Sequence, residues 1–225
     1  SVNKEDMWIS RIPVPVEINA SAHADDDFSK FGSIAELTNW NIYSPVWAPV
    51  SLEGAWLKLQ DKDPFDYAKV ERKIPASKEL KVSFDLLAEQ NDKGRLQIDF
   101  LDGNSIACSR LELTPDGIFR MKGGSRFANM MNYEAGKTYH VEAVLSTADR
   151  NIQVYVDGKR VGLRMFYAPV ATIERIVFRT GEMRTFPTVD TPADQTYDLP
   201  DAGGQEPLAE YRIANVKTLS TDKDA

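Results

Sequence analysis

Residues 139–161, YHVEAVLSTADRNIQVYVDGKRV, contain two stretches in which apolar and polar side chains alternate, followed by a turn sequence. Successive side chains of a strand point to opposite faces, so this period of two predicts strands with one buried face. The dipeptide Asp157-Gly158 favours the tight turn of a β-hairpin. The apolar positions of the two stretches are Tyr139, Val141, Ala143, Leu145, Ile152, Val154 and Val156.

The same pattern continues on both sides of this segment. Turn sequences such as Asp102-Gly103 and Pro115-Asp116-Gly117 separate the alternating runs. About ten strands, with a single helical turn at 33–37 capped by Ser33, predict an all-β fold: an antiparallel two-sheet jelly-roll β-sandwich. Residues 126–133 are interpreted as a loop. Further strands are predicted at 55–59, 67–74, 80–86, 96–100, 111–113, 119–122, 176–178 and 211–216.

Two segments fall outside the strand pattern. Pro13 and Pro15 favour extended backbone and remove two hydrogen-bond donors, so residues 1–20 are predicted to be a connector or edge strand from a preceding domain. Residues 21–220 would then form the sandwich. Within it, residues 182–207 contain four prolines and a Gly-Gly pair, which predicts a long loop.

Composition and charge argue against two classes of function, nucleic-acid binding and membrane insertion. The chain has 225 residues and a formal net charge of -7, so a nucleic-acid partner is not expected. No apolar run reaches the length of a membrane helix, so insertion in a membrane is not expected either. The single cysteine, Cys108, cannot form a disulfide within the chain, and we expect a buried, unreactive thiol.

Three stretches of the chain carry a resemblance to a known superfamily: the opening Asp26-Asp27-Phe28 with Trp40, Trp47 and 54–57, then 70–86, and the hairpin 151–159. They resemble the concanavalin A-like lectin/glucanase superfamily in its laminin-G-like form. The resemblance spans nearly the whole chain and implies the same sandwich, although a fold alone does not define a function. Residues 3–13, NKEDMWISRIP, resemble the closing strand of a bacterial β-propeller glycoside hydrolase or polysaccharide lyase.

These resemblances imply an accessory module of a secreted polysaccharide-degrading protein. Its partners would be a polysaccharide or oligosaccharide and a neighbouring catalytic domain, and its location would be secreted, periplasmic or at the cell surface. Catalytic glucanases of the superfamily carry a Glu-x-Asp-x-x-Glu strand, which is absent here. Glu112 and Glu142 are outward positions of predicted strands, where solvated carboxylates are expected. No catalytic residue is therefore assigned.

Outward polar side chains and one aromatic residue are the candidate ligand contacts. Trp47 lies between Pro45 and Pro49 and could form an exposed platform, whereas Trp56 lies in an apolar strand and is expected in the core. Arg120, His140 and Tyr155 are outward by strand parity and would form one patch if their strands are neighbours. The guanidinium of arginine suits carboxylates, so an acidic, uronate-bearing polysaccharide is a conceivable ligand.

Two acidic stretches of the chain are candidate calcium sites. Asp25-Asp26-Asp27 and Asp61-Lys62-Asp63 are rich in oxygen ligands of the kind that Ca²⁺ prefers. No cofactor is expected to be required, and a structural calcium is possible.

Three functions remain open from the sequence. The first is a non-catalytic carbohydrate-binding or accessory module. The second is a glycoside hydrolase or polysaccharide lyase acting on uronate-containing glycans, with a site built from His140, Tyr155, Glu142 and Arg120 on one sheet face. The third is a structural module that packs on a neighbouring catalytic domain.

Overall fold

The computed structural model of the protein describes residues 22–64, 66–181 and 204–222. These residues form fifteen β-strands and two short 3-10 turns. The strands are β1 (Asp25–Asp26), β2 (Trp40–Tyr43), β3 (Val50–Glu53), β4 (Trp56–Asp61), β5 (Lys69–Ser77), β6 (Glu79–Ala88), β7 (Leu96–Leu101), β8 (Ala107–Leu113), β9 (Ile118–Gly123), β10 (Arg126–Asn132), β11 (Thr138–Ser146), β12 (Asn151–Val156), β13 (Lys159–Met165), β14 (Ile173–Thr180) and β15 (Ala209–Ser220).

The strands form two antiparallel sheets. One has eight strands in the order β13-β12-β11-β6-β15-β4-β3, with β1 paired to β15, and the other has seven in the order β10-β9-β8-β7-β14-β5-β2. The predicted all-β architecture of two sheets is therefore confirmed. Strands that are neighbours in a sheet can be far apart in the sequence: β6, for example, lies between β11 and β15.

The core lies between the sheets and is built from the alternating apolar side chains. Phe84 of one sheet meets Phe178 of the other edge-to-face, with ring centroids 5.1 Å apart. Cys108 is fully buried, so the predicted burial is confirmed, and burial raises the pKa of its thiol to about 12, which favours an unreactive thiol.

One charged pair is enclosed at the edge of this core. Arg72 lies on β5 with its side chain buried, and its Nε donates to Asp26 Oδ2 at 2.7 Å. The indole N–H of Trp40 donates to the same carboxylate oxygen at 3.0 Å. The Nη1 of Arg72 donates to the carbonyl of Lys73 at 2.6 Å and to that of Ala22 at 3.3 Å, and its Nη2 donates to Asp26 Oδ1 at 3.4 Å. The pairing of β1 with β15 therefore places Asp26 where it neutralises a buried guanidinium.

Three local predictions were wrong or incomplete. Residues 126–133 are not a loop, because Arg126–Asn132 forms β10, which pairs with β9. Trp56 is not in the core: Leu57 and Leu59 of β4 are buried, so Trp56 faces outward and is half-buried. The helical turn at 33–37 is present as a 3-10 turn at Ile34–Glu36, but the Ser33 side chain makes no capping hydrogen bond.

Two predicted segments lie wholly or mostly outside the described residues. These are the connector at 1–20 and the long loop at 182–207, of which only 204–207 is described. Both stay predictions. Among the described residues, none of the helical segments is long and apolar enough to cross a membrane.

Candidate functional site

The outer faces of the two sheets differ in how far their polar side chains are covered. On the seven-stranded sheet, the side chain of Glu112 is only 2% exposed and that of Arg110 only 9%. On the eight-stranded sheet, the side chains of His140 and Lys81 are 53% and 43% exposed. Polar side chains on an outer sheet face are ordinarily solvated, so Glu112 and Arg110 are unusual in lying recessed beneath their neighbours on the outer face of the seven-stranded sheet.

Strand register aligns the residues of this surface in two rows. Gln97, Glu112, Arg120 and Asn129 occupy paired positions on β7, β8, β9 and β10. Asp99, Arg110, Lys122 and Phe127 occupy the next outward row. Side chains at paired positions lie about 5 Å apart, so the rows form one continuous polar surface. We use the name recessed face for the surface formed by Gln97, Asp99, Arg110, Glu112, Arg120 and Phe127.

Ion pairs hold the floor of the recessed face in place. Glu112 Oε1 accepts hydrogen bonds from the Nη2 of Arg120 at 2.6 Å and its Nε at 3.0 Å, and it also pairs with Arg95. Arg110 binds Asp99 through two parallel hydrogen bonds of 2.6 and 2.9 Å. Burial acts to lower the pKa of Arg110, but the Asp99 carboxylate outweighs it, so this pKa is raised. The guanidiniums are therefore charged and fixed in orientation.

Aromatic rings lie against the cations on this side of the sheet. The guanidinium of Arg120 lies 4.2 Å from the ring centroid of Phe127. The ammonium group of Lys122 lies 4.4 Å from the ring centroid of Tyr167, and burial raises the pKa of that phenol. These cation–π contacts further restrict the charged groups. Phe127 itself is 36% exposed, so part of its ring faces outward.

One polar atom of the recessed face has no partner. Gln97 is 4% exposed, and its Oε1 forms no hydrogen bond within the described structure. Buried side-chain oxygens almost always accept a hydrogen bond, because an unmet acceptor costs about 1–3 kcal/mol. Gln97 lies in the same row as Glu112 and Arg120, beneath the surface of the recessed face.

The predicted contact residues do not form one patch. Arg120 lies on the recessed face, whereas His140 and Tyr155 lie on β11 and β12 of the other sheet and face the opposite side of the sandwich. Trp47 lies half-buried in the connection between β2 and β3. Strand parity gave the outward direction correctly, but it could not show which sheet each strand joins. The four residues stay candidate contacts, divided between three locations.

His140 is nevertheless held in a defined arrangement on the open face. Its Nδ1 lies 2.7 Å from Asp85 Oδ1, and the amide of Asn215 donates to Asp85 Oδ2 at 2.7 Å. Tyr155 pairs with Glu142 across the strands and donates to Gln153 at 3.1 Å. Arg120 is in the other sheet. The four-residue hydrolase or lyase site considered from the sequence is therefore not assembled.

The two glutamates that sequence analysis treated alike have different environments. Glu142 pairs with Lys81 at 2.6 Å on the open face, where its side chain is 27% exposed. Glu112 is buried beneath two arginines, so the expectation of a solvated carboxylate was wrong for this residue. The residues missed by sequence analysis are Glu112 and Gln97. The sequence did contain a signal for the buried position of Glu112, because this acid has an arginine, Arg120, on the next predicted strand.

The acidic stretches considered for calcium have other roles in the described structure. Asp26 binds Arg72 and Trp40, and Asp27 caps a 3-10 turn by accepting from the backbone N–H of Ser29 at 3.1 Å. Burial raises the pKa of Asp61 to about 6. No group of three or more metal-ligating side chains occurs among the described residues. Structural calcium stays a prediction.

Comparisons with known proteins identify relatives of the whole fold. Residues 40–195 match a protein family described as "Sialidase-like, CBM domain". A solved structure entitled "Sialidase" is 96% identical, with a TM-score of 0.90 over 97% of this chain and 20% of that chain. The chain therefore spans about one fifth of the length of that protein. A comparison with curated protein sequences found no match.

More distant structures share the architecture alone. The carbohydrate recognition domain of Emp47p is 12% identical, with a TM-score of 0.57 over 91% of this chain and 99% of that chain. The Crh5 transglycosylase is 10% identical, with a TM-score of 0.64 over 90% of this chain and 86% of that chain. The predicted jelly-roll β-sandwich fold is confirmed.

Proposed function

The chain belongs to the sialidase-like family of carbohydrate-binding modules, and we propose that it binds a glycan on the recessed face of its seven-stranded sheet. Since the chain spans only one fifth of the sialidase that it resembles, it is an accessory module. Of the three functions that the sequence left open, a carbohydrate-binding accessory module is the one that agrees with the family.

The observation that carries this proposal is the immobilised polar floor of the recessed face. Association costs free energy for every side chain that must be ordered on binding. Here Arg120 is already held by Glu112 and by the ring of Phe127, and Arg110 is held by Asp99. Planar groups with fixed donors are suited to the paired hydroxyls of a sugar. On the opposite face His140 is more than half exposed, so a ligand there would be less enclosed.

The recessed face also offers both kinds of contact that a sugar ring needs. Its polar floor supplies donors from Arg120, whose side chain is 29% exposed. The exposed part of Phe127 supplies an apolar surface for a ring face. Because Phe127 and Arg120 are in contact, a single sugar unit could meet both.

The test is a comparison of single variants on the two outer faces. We expect Arg120→Ala and Phe127→Ala each to weaken binding to a glycan that the unaltered protein retains, by about tenfold, since the first change removes hydrogen-bond donors and the second removes an apolar contact surface. Binding would be measured by affinity-gel electrophoresis and by screening on a glycan array, with thermal unfolding as the check on folding.

His140→Ala is the matched control, because His140 is outward and paired with a carboxylate but lies on the other sheet. It should leave glycan binding unchanged. Loss of binding in His140→Ala, with full binding in folded Arg120→Ala and Phe127→Ala, would place the site on the opposite face. If the unaltered protein binds no glycan, the proposed binding function is contradicted.

We further propose that the module acts outside the cell. A polysaccharide or oligosaccharide would be its ligand and a catalytic domain of the same longer protein its neighbour. The family and the likeness to part of a sialidase support a carbohydrate-active context. A secreted, periplasmic or cell-surface location follows from that context. Localisation of the full-length protein by cell fractionation would test it, and recovery in the cytoplasm alone would contradict it.

A further inference from the structure

Strand β13, at the edge of the eight-stranded sheet, turns two apolar side chains away from the sandwich. A side-chain carbon at Gly162 would come within 2.8 Å of Met121 and Met130 of the other sheet, so this position faces inward. Successive residues of a strand alternate in direction, and Leu163 and Met165 therefore face outward. Their exposed fractions are 45% and 57%. These two neighbouring side chains form an apolar surface at the edge of the outer face.

Strand register extends this apolar surface across the sheet. Leu163 pairs with Gln153 of β12, which pairs with Val144 of β11. Val144 pairs in turn with Lys81 of β6, and Lys81 pairs with Leu219 of β15, which is 59% exposed. Since neighbouring strands lie about 4.8 Å apart, this row across five strands is about 19 Å long. We use the name apolar strip for the surface formed by Val144, Leu163, Met165 and Leu219.

The charged side chains within and beside the apolar strip are paired with each other. The Nζ of Lys81 lies 2.6 Å from Glu142 Oε2, and that of Lys217 lies 3.2 Å from Asp25 Oδ1. Apolar side chains bordered by polar ones are the usual composition of a surface that contacts another protein. Contacts between domains of one chain typically bury about 600–1,500 Å² and are more polar than those of obligate dimers. The composition of this face fits a contact of that kind.

The described residues begin and end at the end of the sheet that carries the apolar strip. The backbone N–H of Ala24 donates to Thr218 Oγ1 at 2.7 Å, one residue before Leu219. The backbone N–H of Thr221 donates to the carbonyl of Glu79 at 2.9 Å. In a longer protein, such as the sialidase of which this chain covers 20%, polypeptide continuing beyond residues 22 and 222 would leave from this end. Such a connection keeps a neighbouring domain at a high effective concentration near the strip.

We propose that the module docks on the catalytic domain of the same longer protein through the apolar strip. This inference rests on the part of the proposed function that gives the module a catalytic neighbour, and it assigns the surface used. The recessed face lies on the other sheet, on the opposite side of the sandwich. Docking through the apolar strip therefore turns the recessed face away from the catalytic domain and leaves it open to a glycan.

The test compares hydroxyl-radical footprints of this chain alone and of the full-length protein. We expect Leu163, Met165 and Leu219 to be oxidised severalfold more slowly in the full-length protein, because the docked domain would exclude water from them. Ile106 and Phe127 are the internal controls, since they are 46% and 36% exposed and belong to the side of the seven-stranded sheet. Their rates should be the same in both proteins. Equal rates at the apolar strip in both proteins would overturn the inference.

A photo-cross-link identifies what covers the apolar strip. Replacing Leu163 by benzoylphenylalanine in the full-length protein should give a cross-link to the catalytic domain of the same polypeptide. The same replacement of Ile106 should not. A cross-link between two copies, or protection that develops in this chain alone as its concentration rises, would assign the strip to self-association and overturn the inference.

A charged substitution tests whether the strip itself holds the contact. Leu163→Glu should restore fast oxidation of Leu219 in the full-length protein, whereas Ile106→Glu should leave Leu219 protected. Protection of Leu219 that survives Leu163→Glu would contradict docking through the strip. Glycan binding is measured separately on Arg120→Ala and Phe127→Ala, so an unprotected strip with normal glycan binding overturns only the docking. A protected strip in a protein that binds no glycan supports the docking and contradicts the binding function.

Discussion

Replacing Asp26 by alanine is expected to lower the free energy of unfolding by about 3–5 kcal/mol, because it leaves a buried guanidinium without its counter-ion. The side chain of Arg72 is 2% exposed, and its Nε lies 2.7 Å from Asp26 Oδ2. The same substitution removes the acceptor of the Trp40 indole N–H. Both groups would stay in the protein interior, since Arg72 lies on a central part of β5 and Trp40 packs on Phe28.

Asp25→Ala is the matched control for this prediction. Asp25 is the adjacent residue of the same short strand, but it is 80% exposed and pairs with Lys217 at 3.2 Å on the surface. Exposed ion pairs contribute about 0–1 kcal/mol, so the control should be nearly neutral. Urea unfolding followed by tryptophan fluorescence would measure both. Equal stability of the two variants would show that the Asp26–Arg72 pair does not hold β1 against the sandwich.

The second large effect is expected for Glu112→Gln, which changes one charge at the centre of the recessed face without changing side-chain size. Glu112 receives hydrogen bonds from both Arg95 and Arg120 while being almost fully buried. The neutral amide is a weaker acceptor and adds donors that face the guanidiniums. We expect a loss of about 2–3 kcal/mol in stability, because the two arginines are partly exposed and can be partly solvated.

Glycan affinity should fall by about tenfold or more in Glu112→Gln, since Arg120 would lose its fixed orientation before the ligand arrives. Glu142→Gln is the matched control: it is also an outward glutamate of a central strand, but it pairs with Lys81 on the open face. It should keep both stability and affinity. Measured at a temperature where both variants are folded, unchanged affinity in Glu112→Gln would contradict the assigned role of the ion-pair floor.

These two glutamates show how far sequence analysis can reach. Alternation with buried leucine and valine placed both of them on outer sheet faces, and the structure agrees. Their environments differ because β8 lies between β7 and β9, whereas β11 lies between β6 and β12. Pairing between distant strands is a long-range property that the period of two does not encode. Arg120, His140 and Tyr155 were grouped for the same reason and are in fact separated.

Edge strands were the other point at which local pattern failed. Residues 126–132 carry no regular alternation, because β10 has a neighbour on only one side and a register shift between Asn129 and Met131. Its side chains are mostly exposed or half-buried. The central strands, buried on one face along their whole length, had given a clear signal.

The most direct test of the recessed face is a crystal structure of the protein with a bound oligosaccharide that it retains on an affinity gel. The proposed function predicts a sugar within hydrogen-bonding distance of the Arg120 guanidinium, with a ring face against Phe127. A sugar bound instead beside His140 and Tyr155, on the outer face of the eight-stranded sheet, would contradict it.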